Sequence, residues 1–96
     1  MSDDTIRREV SGSKGAYVIR RPEGVATLTY SILTPTQVIA DHTEVPKALE
    51  GQGLARRLLD RLLANAEAEG FRIVPLCPYV NAQRRKRPES AHLFIT

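Results

Sequence analysis

The chain has 96 residues, 42% of them hydrophobic, enough for one domain with one modest core and no room for a second. Its 14 basic and 11 acidic residues leave a formal charge of +3, which suits an anionic small ligand and is too weak to argue for nucleic acid without a concentrated patch. A single cysteine excludes an internal disulfide framework, no apolar run can span a bilayer, and the acidic, polar start lacks the features of a signal peptide, so a cytoplasmic protein without a membrane partner is expected.

Residues 1–4 read as a frayed end. Thr5 to Val10 is predicted as a first strand, Ser11-Gly12-Ser13-Lys14-Gly15 has the composition of a hairpin turn, and Ala16 to Arg21 follows as a second strand with Tyr17 and Ile19 on one face. Pro22-Glu23-Gly24 signals a turn. From Val25 to Leu33 the side chains alternate, Ala26, Leu28, Tyr30 and Ile32 against Val25, Thr27, Thr29 and Ser31, the pattern of a half-buried strand. Thr34-Pro35-Thr36 breaks it, and Gln37 to Val45 resumes as a fourth strand. Links this short favour an antiparallel meander.

An amphipathic helix comes next. Leu54, Leu58, Leu62 and Ala66 recur at one-turn intervals, and Ala55, Leu59 and Leu63 widen the stripe. Arg56, Arg57, Asp60, Arg61 and Glu67 fall opposite, where Arg56 can pair with Asp60 across one turn. Gly70 is the natural stop. Phe71 to Leu76 is compact and mainly apolar, a largely buried strand in which Pro75 removes one ladder donor. Strand, helix and strand so connected imply a right-handed crossover with the fifth strand parallel to the fourth. Pro78 to Arg87 is expected as a shorter helix ended by Pro88, and His92 to Ile95 as a short extension or tail. The expected fold class is therefore α/β (α+β): one domain over residues 1–96, with a mixed, mostly antiparallel sheet and one parallel strand-helix-strand unit.

Between the fourth strand and the long helix lies Glu50-Gly51-Gln52-Gly53-Leu54-Ala55. Glycines let the backbone turn tightly, and the first helical amides have no partner inside the helix. With the positive end of the helix dipole behind them they form an anion site made of backbone, in which the side chain of Gln52 is immaterial. The glycines can equally be a plain loop before a helix that merely covers the sheet, since Gly-x-Gly alone is a short and common pattern.

The wider pattern is more specific. His42-Thr43-Glu44-Val45-Pro46, then after four residues Gly51-Gln52-Gly53-Leu54-Ala55-Arg56-Arg57-Leu58, resembles motif A of the GNAT superfamily of acetyl-CoA-dependent N-acetyltransferases. With Cys77-Pro78-Tyr79 the chain is similar to the small single-domain branch, which carries His-Thr-Glu-Val-Pro before the glycines and Cys-x-Tyr after the next strand. The resemblance runs from Ile6 to Glu89. It implies a minimal GNAT fold whose fourth and fifth strands splay around the pantetheine arm of coenzyme A. It also implies acetyl-CoA as co-substrate, no metal, and a pyrophosphate held by Gly51, Gln52, Gly53, Leu54, Ala55 and Arg56. Pantetheine would pair with the backbone near Val45, whose amide becomes an oxyanion donor. The family opens the glycine motif with Gln or Arg where this chain has Glu50, a carboxylate expected to point to solvent. It also departs from its relatives at Gln83, Arg87 and Ser90, where aromatics and a histidine are commoner.

An amine must lose a proton before it attacks a thioester, and the leaving thiolate benefits from a proton donor. His42 and Glu44 are two apart on a strand and share one face, and the resemblance sets them beside the carbonyl as proton acceptors. Each can equally be structural, His42 bonding a neighbouring strand and Glu44 solvated. Cys77 is either a nucleophile that carries the acetyl group with His42 as its partner, or a small buried apolar residue. Tyr79 has the reach to protonate the leaving sulfur, or belongs to the core. The leading expectation is direct transfer, in a ternary complex, to an amine acceptor that is a small molecule or an exposed protein amine. The protein would be a monomer, or a weak homodimer paired through a sheet edge. A coenzyme A-binding module with little or no catalysis is the first alternative, permitted by Glu50 and the small size. A nucleic-acid-binding protein using Arg84-Arg85-Lys86-Arg87 is the second. The scatter of three tyrosines and two phenylalanines disfavours that second alternative, and the basic run reads more simply as a solvated helix face.

Overall fold

The computed structural model describes residues 5–96, so the first four, expected to fray, lie outside it. Five strands form one sheet in sequence order: β1 (Arg7–Ser11), β2 (Lys14–Arg21), β3 (Gly24–Thr34), β4 (Gln37–Glu44) and β5 (Arg72–Pro75). Neighbours from β1 to β4 are antiparallel, and β5 lies parallel to β4 after a crossover through α1 (Leu54–Glu69). A short α2 (Pro78–Arg85) and a 3-10 helix (Pro88–Leu93) complete the chain. This is the mixed meander with one parallel β4-α1-β5 unit that alternation and short links predict. Among the described residues no helix is long and apolar enough to cross a membrane.

One face of the sheet supplies the core. Tyr17 and Ile19 from β2, Ala26, Leu28 and Tyr30 from β3, Val38 and Ala40 from β4 and Ile73 from β5 meet Leu54, Leu58, Leu59, Leu62, Leu63 and Ala66 of α1. Burying each of these leucines contributes about 2 kcal/mol, which is why a single helix can hold the sheet flat against it. Gly70, with φ 77°, ends α1 where its amide returns to the Ala66 carbonyl at 2.9 Å. Long-range polar contacts fasten the edges. Arg8 of β1 reaches across to Glu69 at 2.5 and 3.0 Å and donates to the Tyr30 hydroxyl at 3.0 Å. The Tyr17 hydroxyl donates to Asn65 Oδ1 at 2.9 Å.

Several local expectations shift. The β1–β2 turn needs only Gly12 and Ser13, so β1 runs on to Ser11 and β2 begins at Lys14, because cross-strand bonds absorb every residue they can reach. Asp60 bonds Arg87 at 2.5 Å rather than Arg56, since the 3-10 segment brings Arg87 over the helix. The segment expected as a tail is partly that 3-10 helix. Beyond it Phe94 bridges to Ile73, and the Ile95 amide donates to the Ile73 carbonyl at 2.9 Å, which covers the outer edge of β5.

Candidate functional site

The register of β4 breaks at one residue. Thr29 pairs with His42 and Tyr30 with Ala40, leaving Asp41 as a bulge without a partner. Strict alternation from Val38 and Ala40 would bury His42 and Glu44 against α1. The bulge inverts the parity, so Thr43 and Val45 turn inward while His42 and Glu44 are exposed on the face away from α1. The sequence carries the signal in the switch from even apolar positions (Val38, Ala40) to an odd one (Val45).

Beyond the bulge β4 and β5 part. Their ladder ends at Ala40 opposite Pro75, where the Cys77 amide donates to the Ala40 carbonyl at 2.8 Å. The chain then enters a 3-10 turn at Lys47–Leu49, and fully buried Leu49 pins the following loop to the core. Gly51 and Gly53 adopt φ 84° and 75°, left-handed values that glycine enters without penalty. A Cβ on either would meet nothing within 4 Å, so the space in front of the helix is open. The amides of Leu54, Ala55 and Arg56 have no acceptor inside α1, no side chain caps them, and the first turn contains no acidic residue. These donors face a cavity of about 250 Å³ lined by Val45, Leu49, Gly51, Gly53, Arg56 and Tyr79, with exposed Glu50 on its rim. Gln52, between the glycines, accepts a hydrogen bond from Arg21 at the end of β2. No local spacing signals that tether, because it joins residues 31 apart.

Tyr79 sits half-buried in the first turn of α2, against the core and on the cavity. Burial pushes its phenol above the ordinary tyrosine range, while the Arg87 guanidinium pulls the other way. The hydroxyl therefore stays protonated at neutral pH. Cys77 is 1% exposed, and its sulfur lies 3.3 Å from the Thr43 hydroxyl. The side chain that meets Cys77 is thus Thr43, and the inverted parity turns His42 to the opposite face. The structure brings Val45, Gly51, Gly53, Leu54, Ala55, Arg56 and Tyr79 around one opening. It sets His42 and Glu44 on the open face and Cys77 in the core. The basic run divides: Arg84 bonds Asn81 and Arg87 bonds Asp60, leaving Arg85 and Lys86 exposed.

Comparison with known proteins agrees with this geometry. A family model described as a GCN5-related N-acetyl-transferase matches residues 16–93. The solution structure of a GCN5-like protein from Staphylococcus aureus superposes with a TM-score of 0.71 at 22% identity, over 99% of this chain and 91% of that one. No curated protein sequence matches.

Proposed function

Because the chain belongs to the GCN5-related N-acetyltransferase family, we propose that it moves an acetyl group from acetyl-CoA to the nitrogen of an amine, directly and within a ternary complex. The observation that carries this reading is the bare start of α1: donors without caps, glycines open in front, and a cavity running to Val45 and Tyr79. A diphosphate fits that cradle, since backbone amides and the helix dipole favour negative charge there. Arg56 adds a cation at its wall, and Arg21 holds Gln52 so that the loop keeps its shape. Acetyl-CoA, when bound, supplies an activated acyl carbon.

The residues of this chain do the remainder. The Val45 amide, one residue past the end of β4 and beyond its ladder with β5, stabilises negative charge on the carbonyl oxygen. His42 or Glu44, directly or through water, accepts the proton the amine loses as its nitrogen bonds the acyl carbon. The carbon–sulfur bond breaks, and the Tyr79 hydroxyl gives the departing sulfur its proton. Cys77 takes no part, because its sulfur is shut in the core against Thr43. The protein is read as cytoplasmic, as one domain over its 96 residues, and as a monomer or weak homodimer through the exposed β1 edge.

A second reading, a coenzyme A-binding module with little turnover, draws on Glu50, whose carboxylate stands on the cavity rim where it would repel a phosphate. Amide-shift mapping with acetyl-CoA, followed by acetyl-CoA consumption over a panel of amines, separates the two. Shifts at Gly51 to Arg56 with turnover support the transferase. The same shifts without turnover on any amine leave the binding module, and no shifts there refute both.

A further inference from the structure

Arg87 closes the basic run, and the fold treats it unlike its exposed neighbours Arg85 and Lys86. Its side chain is 14% exposed, against 53% for Asp60, whose Oδ1 it bonds through Nη1 at 2.5 Å. Its Nη2 is buried without a hydrogen-bond partner, the single side-chain atom so placed among the described residues. A guanidinium cannot shed its charge, and a buried donor left unpaired is costly, so a cation kept in this state calls for a reason. Water reaches the Asp60 carboxylate and weakens its field, while the guanidinium acts from a drier place. The pair therefore carries a net positive influence on its surroundings.

What lies within its reach is Tyr79. Tyr79 shares the cavity wall with Arg56, and Asp60, which holds Arg87, follows Arg56 by one turn of α1, about 6 Å along the axis. The charged and titratable groups around the phenol are thus Arg56 and Asp60 from α1, Cys77 just before α2 and Arg87 just after it. Burial pushes the phenol up, and of these groups the Arg87 guanidinium acts most strongly, in the opposite direction. That direction suits the chemistry. A free thiol titrates at about 8.5 and a free phenol at about 10, so a tyrosine raised further by burial is a poor acid toward a departing thiolate. A cation beside it offsets part of the mismatch.

We propose that Arg87 is a positioning residue for proton delivery: pinned by Asp60, its guanidinium stabilises the phenolate that Tyr79 becomes as it gives up its proton. The Tyr79 O–H bond breaks, and the sulfur, which keeps the electron pair of the broken carbon–sulfur bond, uses that pair to bind the proton. Solvent reprotonates Tyr79 once the products leave. The proposal rests on the acetyltransferase reading with Tyr79 as its acid, and it names the group that makes the acid strong enough. Titration of the full chain without cofactor, with 3-fluorotyrosine in place of tyrosine and Tyr79→Phe to assign the fluorine signal, reads the phenol directly. Arg87→Gln moves the Tyr79 titration to higher pH, Asp60→Asn moves it lower, and Arg87→Lys, which keeps the charge, stays near the parent. A clasp that only fastens the chain loses the same ion pair in the first two variants, so shifts in one direction, or none, overturn the proposal. On an amine that turns over, Arg87→Gln lowers kcat by about tenfold with KM for acetyl-CoA nearly unchanged, Arg87→Lys restores most of it, and Arg87→Gln adds no loss to Tyr79→Phe. The same tenfold loss in the Tyr79→Phe background overturns the role of Arg87. Full activity of Tyr79→Phe strikes the acid reading itself and the proposal with it, whereas titrations that fail to oppose strike Arg87 alone.

Discussion

Two glycines at opposite ends of α1 offer a matched test of the cofactor cradle. Gly53 has φ 75° and ψ 20°, Gly70 has φ 77° and ψ 28°, and a Cβ at either would meet nothing within 4 Å. The folding cost of alanine is therefore conformational at both, about 1–2 kcal/mol for a left-handed L-residue. For a domain of this size, each kcal/mol lost lowers Tm by about 4–8 °C. Urea denaturation should rank Gly53→Ala and Gly70→Ala as near equals. Binding should separate them. Relief of strain at Gly53 swings the first turn and misaims the amides of Leu54 and Ala55, and losing hydrogen bonds to a charged group costs about 1.5–3 kcal/mol, at least tenfold in Kd for acetyl-CoA. Calorimetry of the Gly70 variant should return the parent affinity. Equal destabilisation with unchanged affinity for both variants would refute the cradle. A loss below about 0.5 kcal/mol for either, the scatter of ordinary surface substitutions, would refute the conformational argument.

Replacing Tyr79 by Phe removes the proton donor and should lower kcat by about 100-fold with KM for acetyl-CoA nearly unchanged, and steady-state kinetics that find full activity would exclude the role. Cys77→Ala should keep kcat within about twofold while losing about 1 kcal/mol of stability to a small cavity. A trapped acetyl-cysteine in the mass spectrum would instead establish covalent transfer. The Arg8 guanidinium holds the Glu69 carboxyl below the usual carboxylate range, so the pair stabilises the fold above the ordinary glutamate pKa. That contribution fades as pH falls through the lower, folded value. Both partners are partly exposed, so Glu69→Gln should cost only about 0.5 kcal/mol at neutral pH, and denaturation curves of variant and parent should converge in acid.

Much of this molecule is written locally. The two-residue alternation of β3, the four-residue leucine stripe of α1 and the Gly70 stop each depend on neighbours within a turn or two, so spacing alone yields the element order and the mixed sheet. The motif glycines foretell the open helix start for the same reason: a left-handed residue is a property of one position. What spacing cannot reach is closure over distance. Arg8 meets Glu69, Asp60 chooses Arg87 over Arg56, Arg21 tethers Gln52 and Thr43 meets Cys77 only once the sheet has folded onto its helix. The bulge at Asp41 belongs to this second kind. It arises where the pairing of β3 with β4 shifts register between Thr29 and Tyr30, and the unmatched residue turns His42 and Glu44 outward and Thr43 and Val45 inward. Sequence fixes which residues can do chemistry here, while the pairing of strands decides which side of the sheet each one faces, because a one-residue slip reverses every side chain beyond it.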